Sequence, residues 1–148
     1  AAGVDGILIL DLPPEESEDY SQLMVESGLC PVFLVAPTTP DSRIKSIVEH
    51  GKGFIYYVSR EGVTGMQSKV SGNISSMIDR IHQHTDLPIA VGFGISNPDQ
   101  AKAVAEMGDA IVVGSAIVNQ IAEQGKSDTL VPTVSQFVGS LAQAVKEV

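Results

Sequence analysis

A single cysteine, Cys30, cannot form an internal disulfide, which excludes a disulfide-built secreted module and fits a reducing, cytoplasmic setting. Cys30 stands before Pro31 and an apolar run, so a buried, inert thiol is expected; a nucleophile would need a partner base that the pattern does not offer. Positive charge is scarce as well. Nine Lys and Arg against eighteen Asp and Glu give a net charge of −9, which speaks against a nucleic-acid partner. There is no run of eighteen apolar residues and no basic start ahead of an apolar stretch, so neither a membrane span nor a signal peptide is expected. His50, His82 and His84 fall at or near helix ends on polar ground, without the spacing of a zinc site, and no metal is expected.

What the chain does have is apolar substance. Its 148 residues are 43% hydrophobic and 18% charged, enough for one globular domain with a core. Five short apolar runs recur: Ile7–Leu10, Val32–Ala36, Phe54–Val58, Pro88–Val91 and Ile111–Val113. They are continuous, not alternating, which predicts parallel strands buried on both faces. A helix-like stretch follows each, which predicts right-handed βαβ units. Ile74, Met77, Ile78 and Ile81 share one helix face, as do Val134, Phe137, Val138, Leu141 and Val145.

Punctuation agrees. Glycines at Gly3–Gly6, Gly28, Gly51–Gly53 and Gly108 precede the runs and read as helix C-caps leading into strands. Thr39-Pro40-Asp41 and Asn97-Pro98-Asp99 repeat one helix-start formula, a capping side chain followed by proline and an acid; Pro13-Pro14-Glu15-Glu16 is a variant.

Two stretches stand out. Ala90-Val-Gly-Phe-Gly-Ile-Ser-Asn-Pro-Asp99 and Ala110-Ile-Val-Val-Gly-Ser-Ala-Ile-Val118 each end an apolar run in glycine and begin a helix within a few residues. Gly92, Gly94 and Gly114 leave the backbone bare, and Ser115 adds a hydroxyl where free N–H groups and the helix dipole favour an anion such as phosphate. The net charge opposes an anion, so local donors must outweigh a repulsion that salt screens beyond about 8 Å. Paired turns of this kind match the phosphate site after strands 7 and 8 of a (β/α)8 barrel. The connection from Ser59 to Ser71 is long and carries Gly62 and Gly65 as hinge candidates, with Arg60 and Thr64 as polar contacts; a lid is expected there. Five βα units cannot close an eight-stranded barrel. The residues therefore leave two architectures open, a small open α/β sheet or the second half of a barrel whose first three units lie outside this sequence.

Several motifs occur together and in order: Asp11-Leu-Pro-Pro-Glu-Glu, Leu34-Val-Ala-Pro-Thr-Thr-Pro-Asp, Tyr57-Val-Ser-Arg-Glu-Gly-Val-Thr-Gly, Val91-Gly-Phe-Gly-Ile-Ser and Val113-Gly-Ser-Ala-Ile-Val. In this set the chain resembles the tryptophan synthase alpha chain family from its strand 4 to its helix 8. The resemblance implies a TIM (β/α)8 barrel, here a partial barrel of five parallel βα units. It implies a lyase of tryptophan biosynthesis that cleaves indole-3-glycerol phosphate to indole and glyceraldehyde 3-phosphate by a retro-aldol step. It implies no cofactor, since pyridoxal phosphate belongs to the beta chain, and it implies that beta chain as partner in an alpha2beta2 complex. Carried over by motif, Gly65, Gly92, Gly94, Gly114 and Ser115 match phosphate-site positions, and Tyr56 matches a tyrosine facing the glycerol end of the substrate. Arg60 and Thr64 fall in the lid, Thr64 where it orients a catalytic aspartate. Asp11 and Pro13 match the side facing the beta chain. The family's two catalytic carboxylates lie on strand 2 and in the loop after it, and no stretch here corresponds to either. Asp11, Glu15, Glu16 and Glu61 read instead as turn and helix-start residues. The other readings are a stand-alone half-barrel that binds phosphorylated metabolites without catalysis, and a different phosphate-binding barrel such as indole-glycerol-phosphate synthase or ribulose-phosphate epimerase, against which the lid sequence stands.

Overall fold

The computed structural model describes residues 3–59 and 67–148, without the side chains of 67–72. The strands are β1 (Gly6–Leu8), β2 (Cys30–Val35), β3 (Ile55–Val58), β4 (Ile89–Gly92) and β5 (Ala110–Val112). The helices are α1 (Glu18–Glu26, after a single 3-10 turn at Pro14–Glu16), α2 (Asp41–His50), α3 (Gln67–His82), α4 (Pro98–Ala105), α5 (Ser115–Gln124) and α6 (Leu130–Lys146). All four strand pairs are parallel, and the sheet order follows the chain, β1-β2-β3-β4-β5. That order decides between the two architectures. A doubly wound sheet reverses direction once, at a switch point, and puts helices on both faces. A sheet that always advances the same way keeps its helices on one face, as in a barrel. This chain is a half-barrel.

The core lies between sheet and helices. Phe33 and Val35 of β2, Ile55 and Tyr57 of β3, and Ile89 and Val91 of β4 point into it. They meet Ile44 and Ile47 of α2, Ile74, Met77, Ile78 and Ile81 of α3, Ala101 and Val104 of α4, and Leu141 of α6. The expected stripe on α3 is wholly buried; that on α6 is not, since Val138 is exposed. Arg80 near the end of α3 grips Asp41 at the start of α2 through Nη2 and Nε, at 2.7 and 3.1 Å. Asp109 ties the entry of β4 to β5: its carboxylate accepts from Ile89 N–H at 2.8 Å and its own N–H donates to Ile89 O at 3.1 Å.

Several local expectations need correction. The strands β2, β3 and β4 are largely buried, but β1 and β5 are not, because each lies at an edge of the sheet with one neighbour. β1 stops at Leu8, and Ile9 and Leu10 stand in solvent. Cys30, at the start of β2, is half-buried rather than buried. Thr39 does not cap α2; its Oγ1 accepts from Ala36 N–H at 3.0 Å, and Pro40 O takes the first helical amides. Gly28 and Gly53 turn left-handed at φ of 71° and 79°, whereas Gly51 stays extended at −76°. The connection after β3 is shorter than expected, since α3 is already helical at Gln67. Arg60, Glu61, Thr64 and Gly65, with the rest of the expected lid before Gln67, lie outside the described residues.

Candidate functional site

Along each inner strand, residues alternate between the helix-side core and the opposite face. Tyr56 and Val58 of β3, Gly92 of β4 and Val112 of β5 take that other face, where they line a cleft of about 430 Å³ at the C-terminal ends of the strands. Val58 pairs with Gly92, and Gly92 pairs with Val112. Phe93 to Ser96 form one wall and the start of α5 the other. Tyr56, Gly92, Gly94, Gly114 and Ser115, far apart in the sequence, thus border one hollow. Gly65 falls outside the described residues.

The three cleft glycines are there for different physical reasons. At Gly92 a β-carbon would collide with the Tyr56 ring, 2.6 Å from Cε2 and 2.8 Å from Cζ. Glycine leaves room for the hydroxyl end of the ring against β4. At Gly94 a β-carbon would meet nothing, but φ is +64°, a conformation that L side chains rarely adopt. Phe93 and Ile95 on either side drop into the core, 4% and 2% exposed, so the backbone between them must turn outward toward the cleft. At Gly114 neither reason holds: φ is −115°, and a β-carbon would meet nothing within 4 Å. The free space in front of Gly114 opens into the cleft.

Backbone donors separate the two helix starts. Gly114 is the N-cap of α5, and its carbonyl accepts from Ile117 N–H and Val118 N–H at 3.0 and 3.1 Å. The amides of Ser115 and Ala116 meet no acceptor among the described residues, as expected for a first turn. α4 is different. Asn97 Oδ1 accepts from Gln100 N–H at 2.9 Å, and Gln100 Oε1 accepts from Ser96 N–H at 2.8 Å and from Ser96 Oγ at 3.0 Å. These reciprocal bonds close the α4 opening with the chain's own side chains. The two helix openings thus differ: at α4 the amides of Ser96 and Gln100 are engaged by side chains and that of Asp99 is not, whereas at α5 those of Ser115 and Ala116 are both unengaged.

The cleft is neutral. No Asp, Glu, Lys, Arg or His is among its described lining residues. Asn119, one turn beyond Ser115, is the one side-chain amide there, and the sequence patterns did not single it out. Its spacing of four from Ser115 on a helix was the available signal. The beta-facing candidates lie elsewhere. Asp11 and Pro13 border a second cleft of about 250 Å³ with Thr39 and Arg43, and share no lining residue with the first. Glu15 pairs with Arg43 at 3.3 Å on the surface, Glu16 is exposed, and no cluster of three metal-ligating side chains occurs among the described residues. No helix of the described residues is long and apolar enough to cross a membrane.

Residues 1–146 match the family model described as tryptophan synthase alpha chain. A tryptophan synthase alpha chain of Opitutus terrae is 49% identical over 146 residues, 98% of this chain and 55% of the relative. The crystal structure of the tryptophan synthase alpha subunit of Legionella pneumophila superposes with a TM-score of 0.83 at 34% identity, over 99% of this chain and 54% of that one. A chain of the tryptophan synthase complex of Pyrococcus furiosus does so with a TM-score of 0.78 at 33% identity, over 95% of this chain and 55% of its own. The chain thus spans about half the length of the curated relatives it matches.

Proposed function

The chain belongs to the tryptophan synthase alpha chain family, and from that membership we propose that it carries the phosphate-holding part of a carbon–carbon lyase site. The proposed reaction is the cleavage of indole-3-glycerol phosphate to indole and glyceraldehyde 3-phosphate. The family has no cofactor of its own, and pyridoxal phosphate belongs to the beta chain. The proposed partner is that beta chain, reached through the side that bears Asp11 and Pro13. Among the structural relatives is an alpha2beta2 complex from Pyrococcus furiosus.

The observation that carries this reading is the start of α5. Two unengaged amides, Ser115 and Ala116, border the cleft beside a glycine that neither packing nor φ requires. A phosphate seated there meets backbone donors, the Ser115 hydroxyl and the positive end of the helix. The outward backbone of Gly94 faces it across the cleft, and Tyr56 lies at the floor on Gly92. A retro-aldol cleavage also needs proton donors and acceptors at the reacting carbons. The described cleft holds no Asp, Glu or His. These residues therefore bind and orient, and the acid–base groups come from elsewhere in the family's barrel.

Calorimetry with glyceraldehyde 3-phosphate and inorganic phosphate tests the reading. Gly114→Ala places a β-carbon in the free space in front of the α5 start, so the chain stays folded, at a cost of no more than about 1 kcal/mol for the changed N-cap, while phosphate affinity drops at least about tenfold. Equal affinity for the variant and the parent chain overturns the proposal.

A further inference from the structure

The wall of the cleft that carries Gly94 is held at one end by packing and at the other by hydrogen bonds from a helix. Phe93 and Ile95 are buried, and Gly94 between them turns outward at φ of +64°. Beyond Ile95 the chain leaves the core, and Ser96 and Asn97 are exposed. Gln100 holds Ser96: its Oε1 accepts from Ser96 N–H at 2.8 Å and from Ser96 Oγ at 3.0 Å. Gln100 is itself fixed, because its N–H donates to Asn97 Oδ1 at 2.9 Å and the next residue, Ala101, is fully buried in the core. These bonds depart from an ordinary capping box. There, the side chain three residues into the helix binds the amide of the N-cap residue. Here Asn97 is the N-cap, and Gln100 reaches past it to both donors of Ser96. The bonds from its side chain therefore satisfy no amide of the helix; they tie the loop to α4. Ser96 lines the cleft with Gly94, and Gln100 is not among the described lining residues.

We propose that Gln100 is a positioning residue for this cleft: through Ser96 it holds the wall from Phe93 to Ser96, and so sets the direction in which the Gly94 backbone faces a ligand. It acts from behind the wall and touches no ligand itself. One oxygen must accept two hydrogens at this reach, which glutamine and glutamate can both do. Methionine matches the length but offers only a weak acceptor, and asparagine falls one methylene short. Glutamate also suits the first turn of a helix, where the dipole favours negative charge. The consequence for binding rests on the phosphate reading of this cleft. The orientation of Gly94 does not, and is measured in the unliganded chain.

The test is nitrogen-15 relaxation of the full 148-residue chain, followed by calorimetry with inorganic phosphate. In Gln100→Met the backbone order parameters of Gly94 and Ser96 are expected to fall from about 0.85 to below about 0.6. Phosphate affinity falls about fivefold, the net worth of a hydrogen bond. In Gln100→Glu the order parameters return to those of the parent. Val104→Ala is the comparison: it lowers the melting temperature by deleting buried methyl groups of α4 and leaves the order parameters of Gly94 and Ser96 unchanged, which separates positioning from stability. If Gln100→Met does not fold, Ser96→Ala takes its place; it removes one of the two bonds at an exposed position, and a smaller fall at Gly94 is expected. Order parameters at Gly94 that match the parent in Gln100→Met, or that fall equally in Val104→Ala, overturn the inference. A parent chain that binds phosphate no more tightly than Gln100→Met does, despite a loosened Gly94, overturns it as well. If the parent binds no phosphate, the phosphate reading fails, and the order parameters alone decide the role of Gln100.

Discussion

The ring of Tyr56 occupies the place where a β-carbon on Gly92 would have to sit, with Cε2 and Cζ only 2.6 and 2.8 Å from that position. The two residues are on adjacent strands and on the same face, and each explains the other. Gly92→Ala is therefore expected to displace the ring and destabilise the chain by about 1–3 kcal/mol, the usual cost of overpacking. In a Tyr56→Ala background the same change is expected to cost less than about 0.5 kcal/mol, and a double-mutant cycle by urea denaturation measures the difference. Equal costs in both backgrounds would mean that the ring does not hold this place.

Gly94 and Gly114 should respond in opposite ways. Gly94→Ala forces an L residue to φ of +64° and is expected to cost about 1–2 kcal/mol. Gly114→Ala meets open space at φ of −115° and is expected to cost no more than about 1 kcal/mol, the loss of a favourable helix N-cap residue. Thermal melts of the two variants give the comparison. A large loss at Gly114 would mean that the fold, not a ligand, requires it.

The edge strands have a consequence for a polypeptide of these residues alone. Ile7, Ile9 and Leu10 are exposed at the β1 edge, and Val118, Ile121 and Val131 at the helices beside β5. Open parallel edges with apolar rims invite pairing. A dimer or larger soluble species is expected by light scattering, and a monodisperse monomer at tens of micromolar would contradict that. The chain's acidity limits the association without abolishing it.

The same polypeptide, assayed alone, is expected to show no measurable lyase activity. Each positioned acid or base contributes about 10²–10⁴-fold, and no Asp, Glu or His is among the described cleft residues. Steady-state turnover resembling that of a complete alpha chain would overturn the separation between holding and proton transfer.

The sheet and most of the cleft were legible because their signals are local. Apolar runs ending in glycine placed Gly92, Gly94, Gly114 and Ser115 on one hollow once the strands lay in chain order. What misled was chemistry that two similar strings share. Thr39-Pro40 and Asn97-Pro98 look alike, yet Asn97 caps its helix while Thr39 bonds back to Ala36, a choice made by the turn before the helix. The closure of α4 was readable in the spacing of Asn97 and Gln100, a capping-box interval that an eye on glycines passes over. The open edges of β1 and β5 were readable too, because five βα units that cannot close a barrel leave their first and last strands with one neighbour each. The close approach of Tyr56 to Gly92 depends on register between strands that are far apart in sequence.

Nitrogen-15 chemical shifts under phosphate titration test the central claim most directly. If backbone amides at the α5 start hold the anion, the largest shifts fall on Ser115 and Ala116 and the next on Gly94, saturating together, while Ser96 and Gln100 at the closed α4 start barely move. Shifts concentrated at α4, or none at Ser115 and Ala116 at saturating phosphate, would contradict it.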